Sequence, residues 1–253
     1  MTDPAAEPTT GPAAPSGVDT PANGTAVARV RPVDVHPPTR LERTSYAIVR
    51  GLCLGLAKLL FRVEVRGTGN VPASGPFVLA PVHRSNLDFI LTSFVARPRM
   101  RYMGKASIWK WAPLGRFVSM LGAFPVHRGT PDRESLRTCL EIIENGESLV
   151  MFPEGTRRSG PAIDHMFDGP AYVAARTGAP LLPLGIGGSE QAMPVGARMI
   201  RPHKIVLVVG APIAPPVGDG TGRVRRRVVR EMTEQLQQEL QGLYDEAQRL
   251  AGS

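Results

Sequence analysis

From residue 62 onward, short runs of β-forming residues alternate with helical stretches. Such alternation strongly constrains the fold, because it places helices on the faces of a largely parallel sheet. The predicted strands are RVEVRG (62–67), FVLAPV (77–82), RYM (101–103), AFPV (123–126), SLVMF (148–152), LLPLGI (181–186) and KIVLVVG (204–210). The predicted helices are 86–97, 105–121, 133–145, 168–178 and 222–250. This alternation therefore predicts that residues 62–253 form one α/β domain, with a mixed, largely parallel sheet of about seven strands covered by helices and with a long C-terminal helix.

Residues 1–40 differ from this domain in composition. The segment up to Pro38 contains eight prolines, no aromatic residue and almost no apolar periodicity. It cannot bury enough apolar surface to offset the entropy lost on ordering, so residues 1–40 are predicted to be a disordered Pro/Ala-rich tail. Asp3 and Glu7 lie where a secretory signal carries positive charge, and no apolar run follows them, so a signal peptide is not expected.

The most apolar stretch, TSYAIVRGLCLGLAKLLF, lies within a predicted helix over residues 41–61. Arg50 and Lys58 lie about 80° apart on a helical projection and therefore share one side. The other side carries Ile48, Leu52, Leu56, Leu59 and Leu60. This pattern is typical of a membrane-interface helix, with its apolar face in lipid and its basic face towards the headgroups, and not of a spanning helix. A helix packed on the protein's own core fits the pattern equally well.

The net charge indicates an anionic partner. Thirty basic against 22 acidic residues give a formal charge of +8, which is typical of proteins that bind nucleic acid, phosphorylated metabolites or membrane surfaces. Five arginines at the start of the last helix, with three near the N-terminal helix, are predicted to dock on anionic lipid, although a solvated helix face would look the same. These residues are Arg40, Arg43, Arg50, Arg223, Arg225, Arg226, Arg227 and Arg230.

The two tryptophans of the chain, Trp109 and Trp111, lie on either side of Lys110. Tryptophan next to a cation is typical of a membrane-interface belt, where the ring sits among the headgroups. Core packing accounts for two tryptophans equally well.

The sharpest chemical signal is HRSNLD, residues 83–88, directly after a predicted strand. His83 and Asp88 would point about 140° apart on a continuous helix, but on a strand-to-helix turn they can meet. The carboxylate could then accept a hydrogen bond from one imidazole nitrogen and leave the other as a general base. Ser85 and Asp88 also fit a capping box, in which the aspartate only caps the helix.

Three further segments have the composition of a binding site. FPEGTRRSG (152–160) follows an apolar strand and combines glycine, a hydroxyl and adjacent arginines, which suits a phosphate, although ordinary turn chemistry looks similar. GAFPVHRG (122–129) brings Arg128 into a glycine-bounded loop. APLLPL (179–184) is apolar and rigid, which is typical of the wall of a site rather than of a catalytic group.

In this order and spacing, the four segments resemble the four motifs of the glycerolipid acyltransferases, above all the bacterial 1-acylglycerol-3-phosphate (lysophosphatidate) acyltransferases. KASIWKWAPLGRFVSMLGAFPVHRG (105–129) also resembles the family's stretch that leads into its second motif. The resemblance covers about residues 62–210, and FPEGTR with HxxxxD upstream is a highly specific pair. It implies that residues 62–253 form an acyltransferase domain, and it favours a catalytic role for His83 and Asp88.

The resemblance also implies a role for each site residue. His83 would act as the general base on the acceptor hydroxyl, and Asp88 would orient it. The acceptor phosphate site would consist of Arg128, Glu154, Gly155, Thr156 and Arg157. Pro183 would lie in the wall of the acyl-donor site. Lys105, or backbone N–H groups near the start of the helix, could stabilise the oxyanion, although a surface role suits the lysine as well.

These features predict a membrane-associated O-acyltransferase of phospholipid biosynthesis. It would transfer a fatty acyl group from acyl-CoA or acyl-carrier protein to the free hydroxyl of 1-acylglycerol-3-phosphate and give phosphatidate. We expect it to work at the cytoplasmic face of the cell membrane, as a monotopic or peripheral protein. Because no GxSxG segment is present, direct attack by the acceptor is favoured over a covalent acyl-enzyme. No metal or cofactor is predicted, since Cys53 and Cys139 belong to no CxxC or Cys/His cluster.

Two alternatives stay open. The same chemistry could act on another lysophospholipid or on a glycolipid acceptor. A basic, non-catalytic protein that binds lipid or nucleic acid would account for the charge but not for the His83 and Asp88 pair. Nucleic acid is not expected as a partner, because the arginine cluster at 223–230 contains no aromatic residue that could stack on bases.

Overall fold

Seven strands form one sheet at the centre of the structure. They are β1 (Glu64–Arg66), β2 (Val78–Pro81), β3 (Met100–Lys105), β4 (Ala123–Val126), β5 (Ser148–Val150), β6 (Leu181–Gly187) and β7 (Val206–Val209). The computed structural model describes residues 39–95, 99–126, 133–216 and 223–253. Most of the predicted tail, up to residue 38, and Arg128 lie outside these ranges. Every predicted strand is present, with its ends shifted by no more than two residues.

The strand order confirms a mixed, largely parallel sheet. Across the sheet the strands follow the order β1-β7-β6-β2-β5-β3-β4. All neighbouring pairs are parallel except β6 and β7, which are antiparallel. The carboxyl ends of β2 to β6 therefore lie at one edge, where open α/β sheets place their ligands.

The described helices are α1 (Arg40–Phe61), α2 (Asp88–Leu91), α3 (Ala112–Met120), α4 (Arg133–Glu144), α5 (Gly169–Thr177), α6 (Ser189–Ala192) and α7 (Arg226–Ala251). Two of the predicted helices are divided. A 3₁₀ turn, Thr92–Phe94, follows α2, and another, Ala106–Lys110, precedes α3. The second division arises because Trp111 is extended and Pro113 lies in the first turn of α3, where its missing N–H costs nothing.

The helices cover the two faces of the sheet. Parallel strands are joined by right-handed crossovers, so α2 and α3, which lead towards the β4 edge, share one face, and α4 and α5, which lead back, share the other. The contacts agree with this arrangement, because α1 touches α2 and α3, whereas α5 touches α4 and α7. The arginines at the start of α7 therefore lie on a helix of the other layer from α1. Two of these arginines are paired with glutamates on the next turn, as Arg227–Glu231 and Arg230–Glu234.

The α1 helix rests on the domain by the side that carries Tyr46, Ala57 and Phe61, while Lys58 is exposed. Thr39 and Glu42 form a capping box at its start. The Arg50 guanidinium donates to the Ser93 carbonyl from Nε at 3.0 Å and from Nη2 at 2.6 Å. Arg50 therefore faces the domain, and not the headgroups as the sequence led us to expect. The apolar side points away from the domain, with Leu52 70% and Leu59 80% exposed.

Two glycines of β6 allow α7 to lie directly on the sheet. A Cβ atom at Gly185 would lie 2.4 Å from the Leu243 carbonyl oxygen, and one at Gly187 would lie 2.2 Å from the Ala247 carbonyl. These separations are well below van der Waals contact, so any larger residue would displace the helix. The close approach brings Tyr244 of α7 to the polar loop that follows β5.

We predict that Gly187→Ala lowers the free energy of unfolding by about 1–3 kcal/mol, because the added methyl group overpacks the β6–α7 contact. The matched control is Gly242→Ala on α7, where a Cβ atom would meet nothing within 4 Å. That change should raise the stability by up to about 1 kcal/mol through helix propensity. Denaturant unfolding measures both variants, and equal effects would contradict the packing described for β6.

Candidate active site

His83 and Asp88 meet at the turn that joins β2 to α2. The strand ends at Pro81 and the helix begins at Asp88 itself. The His83 Nδ1 atom lies 3.1 Å from Asp88 Oδ2, and the same oxygen accepts the backbone N–H groups of Arg84 and Ser85 at 2.7 Å each. Asp88 therefore contacts the imidazole and closes the turn before α2, whereas α2 itself, with Leu87 as its N-cap, has no side-chain cap.

The imidazole of His83 is held on two sides. Its ring stacks on Phe152 with 4.0 Å between the centroids, and the residue is 9% exposed. A carboxylate at Nδ1 favours the tautomer with the proton on that nitrogen, which leaves a lone pair on Nε2. Among the described residues, none makes a hydrogen bond to Nε2. This geometry is the one required of a general base.

Glu154, in the loop after β5, joins this loop to the turn after β2. Its Oε2 atom accepts the backbone N–H of His83 at 2.7 Å, and its Oε1 atom pairs with Nη1 of Arg84. Both side chains are buried. Burial lowers the pKa of Arg84, but its hydrogen bond and charge interaction with Glu154 outweigh this effect and leave the pKa raised, so the guanidinium stays charged.

Arg84 also contacts the rest of the loop and α7. It donates from Nε to the Gly160 carbonyl at 3.2 Å and from Nη2 to the Ala162 carbonyl at 3.0 Å. Its guanidinium carbon lies 4.9 Å from the centre of the Tyr244 ring. One side chain thus connects the β2 turn, the β5 loop and the C-terminal helix. No role was predicted for Arg84 from the sequence, although a charge directly after a buried strand must find a partner.

The remaining residues of FPEGTRRSG lie around this pair. Gly155 has a positive φ of 67°, and a Cβ atom there would lie 2.6 Å from the Phe167 ring. Thr156 is exposed and Arg157 is half-buried. Within the described ranges the Arg157 guanidinium makes no hydrogen bond or ion pair, so it is available to an anion. The Arg158 backbone N–H donates to the His83 carbonyl at 2.9 Å and fixes the loop to the turn.

The resemblance placed Glu154 in the acceptor phosphate site with these residues. Its side chain lies elsewhere, because both carboxylate oxygens are occupied by Arg84 and by the His83 backbone. A buried carboxylate would also repel a phosphate at contact distance. The geometry thus gives Glu154 a positioning role beneath the site, whereas Thr156 and Arg157 lie where an acceptor could reach them.

The two other predicted site residues lie on strands β3 and β6. Lys105 ends β3 and is exposed at the carboxyl edge, opposite Val126 of β4. Pro183 is buried in β6 opposite Ala80, three residues before His83. In the part of the chain that the structure describes, no group of three or more His, Cys, Asp or Glu side chains is placed to hold a metal ion.

Comparison with known proteins assigns this architecture to a family. Residues 62–187 match the family profile described as Acyltransferase. The chloroplastic 1-acyl-sn-glycerol-3-phosphate acyltransferase of Brassica napus is 31% identical over 152 residues, or 59% of this chain and 44% of that protein. The enzyme of the same name from Bacillus subtilis is 28% identical over 189 residues, or 74% of this chain and 91% of that protein. This chain belongs to the acyltransferase family.

The fold is also that of a solved structure. The crystal structure of the 1-acyl-sn-glycerophosphate (LPA) acyltransferase PlsC from Thermotoga maritima has a TM-score of 0.61 and 22% sequence identity, and the match covers 78% of this chain and 80% of that one. The similarity confirms the α/β fold. The chain spans less than half the length of the two plant relatives from Brassica napus and Arabidopsis thaliana, at 44% and 42%.

We predict that Glu154→Ala lowers the free energy of unfolding by about 3–5 kcal/mol, because it leaves the buried Arg84 charge without a partner. Ser159→Ala, an exposed position on the same loop, is the matched control and should change stability by no more than about 0.5 kcal/mol. Thermal and denaturant unfolding measure both. If Glu154→Ala were as stable as the wild type but bound the acceptor more weakly, Glu154 would belong to the acceptor site.

Proposed function

We propose that this chain is a 1-acylglycerol-3-phosphate O-acyltransferase. It transfers a fatty acyl group from the thioester of acyl-CoA or acyl-carrier protein to the free hydroxyl of the lysophosphatidate and gives phosphatidate. The observation that carries the proposal is the imidazole of His83, held by Asp88 at Nδ1 and left open at Nε2. The names of the relatives support lysophosphatidate as the acceptor. No metal or cofactor enters the reaction that we propose.

In the proposed reaction, Nε2 of His83 takes the proton of the acceptor hydroxyl as its oxygen attacks the thioester carbonyl carbon. Asp88 stabilises the imidazolium that forms. The tetrahedral intermediate then collapses, the carbon–sulfur bond breaks, and the thiolate leaves with the proton that His83 returns. Lys105 and the N–H groups of the turn are the candidate donors to the oxyanion, although those of Arg84 and Ser85 already donate to Asp88.

The acceptor phosphate would bind beside this base. Gly155, Thr156 and Arg157 would contact the phosphate from the loop, and we propose that Arg128, outside the described residues, completes the site from the end of β4. A guanidinium suits a phosphate because its N–H groups match two oxygens at once. Pro183 would contribute to the wall of the donor site from within β6.

We propose that the reaction takes place at the cytoplasmic face of the cell membrane, with α1 in one leaflet. By length and composition α1 is apolar enough to cross a membrane, and 17% of its most apolar window is buried. Its exposed side consists of Ile48, Leu52, Leu56 and Leu59. A lysophospholipid acceptor would keep its acyl chain in the bilayer while its phosphate reaches the loop.

A second acceptor class would use the same chemistry. Another lysophospholipid or a glycolipid would place a different headgroup at the Arg157 loop, while the proton transfer by His83 stayed the same. Mass spectrometry of products from a panel of lysolipids separates these acceptors, and a basic binding protein without catalysis would form no product with any of them.

We predict that His83→Ala lowers kcat by about a hundredfold or more, because the attacking hydroxyl loses its base. Asp88→Asn should also lower kcat, since an amide turned towards Nδ1 favours the wrong tautomer. Product lipid formed from lysophosphatidate and acyl-CoA is measured by mass spectrometry, with His203→Ala as the matched histidine control. His203 is bonded to Ser253, near the chain end. Full turnover by a folded His83→Ala protein would refute the mechanism.

We predict that Arg157→Ala raises KM for lysophosphatidate by about tenfold or more, because a charge-assisted contact with the phosphate is lost. The same variant should handle monoacylglycerol, which has no phosphate, with the kinetics of the wild type. Steady-state kinetics with the two acceptors test this. An equal change for both acceptors would show that Arg157 supports the loop and does not bind phosphate.

A further inference from the structure

We infer that α3 and the two residues before it form a second membrane-contacting surface, which we call the α3 surface (residues 110–117) and which binds anionic bilayers beside the active site. The inference rests on the proposed function only in that the substrate is a lipid. It concerns a part of the chain that the catalytic mechanism does not use.

The α3 surface is apolar and open. Trp111 is 64% and Phe117 44% exposed, and Leu114 between them is also exposed. Leu114 and Phe117 are three apart and therefore lie on one side of α3, and Trp111 directly precedes the helix. In residues 111–117 only Gly115 is buried. Single exposed apolar residues are common, but a contiguous group of large ones marks a contact with another apolar phase.

The charge around this surface selects the partner. Residues 89–131 contain no aspartate or glutamate and seven arginines and lysines, of which Arg101 is buried and paired with Glu147. Lys110 and Arg116, which lie among these apolar residues in the sequence, are also exposed. Tryptophan flanked by cations is the composition that membrane interfaces favour, and each cation near an anionic surface adds to binding.

The position of the surface gives it a function. The α3 surface follows the short 3₁₀ turn after Lys105, which ends β3. It therefore begins near the edge of the sheet where His83 lies. α3 also touches α1, whose exposed side is apolar, so the two helices present lipid-binding side chains from the same layer. Insertion of both would bring the catalytic edge to the membrane, where a lysolipid could reach it without leaving the leaflet.

Trp109 and Trp111 make the inference directly testable, since the chain has two tryptophans. Trp111 is the only tryptophan in Trp109→Phe, and Trp109 is the only one in Trp111→Phe, so excitation at the red edge of the absorption band selects each indole over the four tyrosines. Trp109 is the matched control, because its indole N–H donates to Ser119 at 2.9 Å and its ring lies against Gly104 and Gly115. Both proteins are titrated with phosphatidylglycerol–phosphatidylcholine vesicles whose acyl chains carry bromine.

We expect Trp111 emission to shift to shorter wavelength and to be quenched by the brominated chains, and Trp109 to be quenched less. Replacing Trp111, Leu114 and Phe117 together by serine should weaken vesicle partitioning by about tenfold or more, since large apolar side chains leave the lipid. The same triple change at Val195, Met199 and Ile200, which are exposed elsewhere, should have little effect. Pure phosphatidylcholine vesicles should bind more weakly.

Each contrary result has a distinct meaning. Protein that sediments with vesicles while Trp111 stays unshifted would overturn the α3 surface and leave membrane binding through α1 intact. Protein that does not sediment at all would overturn both. An equal shift of Trp111 with acyl-CoA or lysophosphatidate alone, without vesicles, would make the surface a substrate site. A change of oligomeric state on the serine substitutions, with unaltered vesicle binding, would make it a contact between copies of this chain.

Discussion

The buried ion pair between Arg84 and Glu154 is the interaction on which the site depends. It joins two loops that are 70 residues apart in the chain, and the same carboxylate holds the His83 backbone N–H. A buried pair of this kind costs much desolvation, and the protein recovers that cost only because every arm of the guanidinium has a carbonyl, carboxylate or aromatic partner. Removing one partner would therefore release the histidine as well as the loop.

The catalytic turn shows how one carboxylate can serve structure and chemistry together. Asp88 accepts the N–H groups of Arg84 and Ser85, in the turn before the helix, and contacts Nδ1 of His83 with a single oxygen. Folding of the turn and alignment of the base are thus the same event. Because the turn and the β5 loop both leave the carboxyl edge of neighbouring strands, the sheet brings His83 and Arg157 to the same edge. α1 and α3, whose exposed sides are apolar, lie in the same helical layer on one face of the sheet.

Local pattern was sufficient for the strands, because each depends on neighbours in sequence, and it offered the contact of His83 with Asp88 as one of two alternatives. The mixed sheet pairs strands that lie far apart in sequence, and it followed from the alternation of strands and helices. The direction of the Glu154 side chain, and the contact of Arg50 with the domain, depend on partners 40 or more residues away. The periodicity of a segment does not show which distant residue its side chains contact. One signal was present in the sequence: Arg84 follows a strand with no exposed position, and a buried cation requires a carboxylate. Glu154, at the end of the neighbouring strand, is that carboxylate.

The central claim is that Asp88 fixes the tautomer of His83 and leaves Nε2 as the base. Nitrogen NMR of protein labelled in its five histidines measures this directly, with the His83 signals identified by their loss in His83→Gln. The account predicts that neutral His83 carries its proton on Nδ1, with an unprotonated Nε2 resonance. A proton on Nε2 of the neutral ring would contradict it, because the nitrogen that faces the acceptor could then accept no proton.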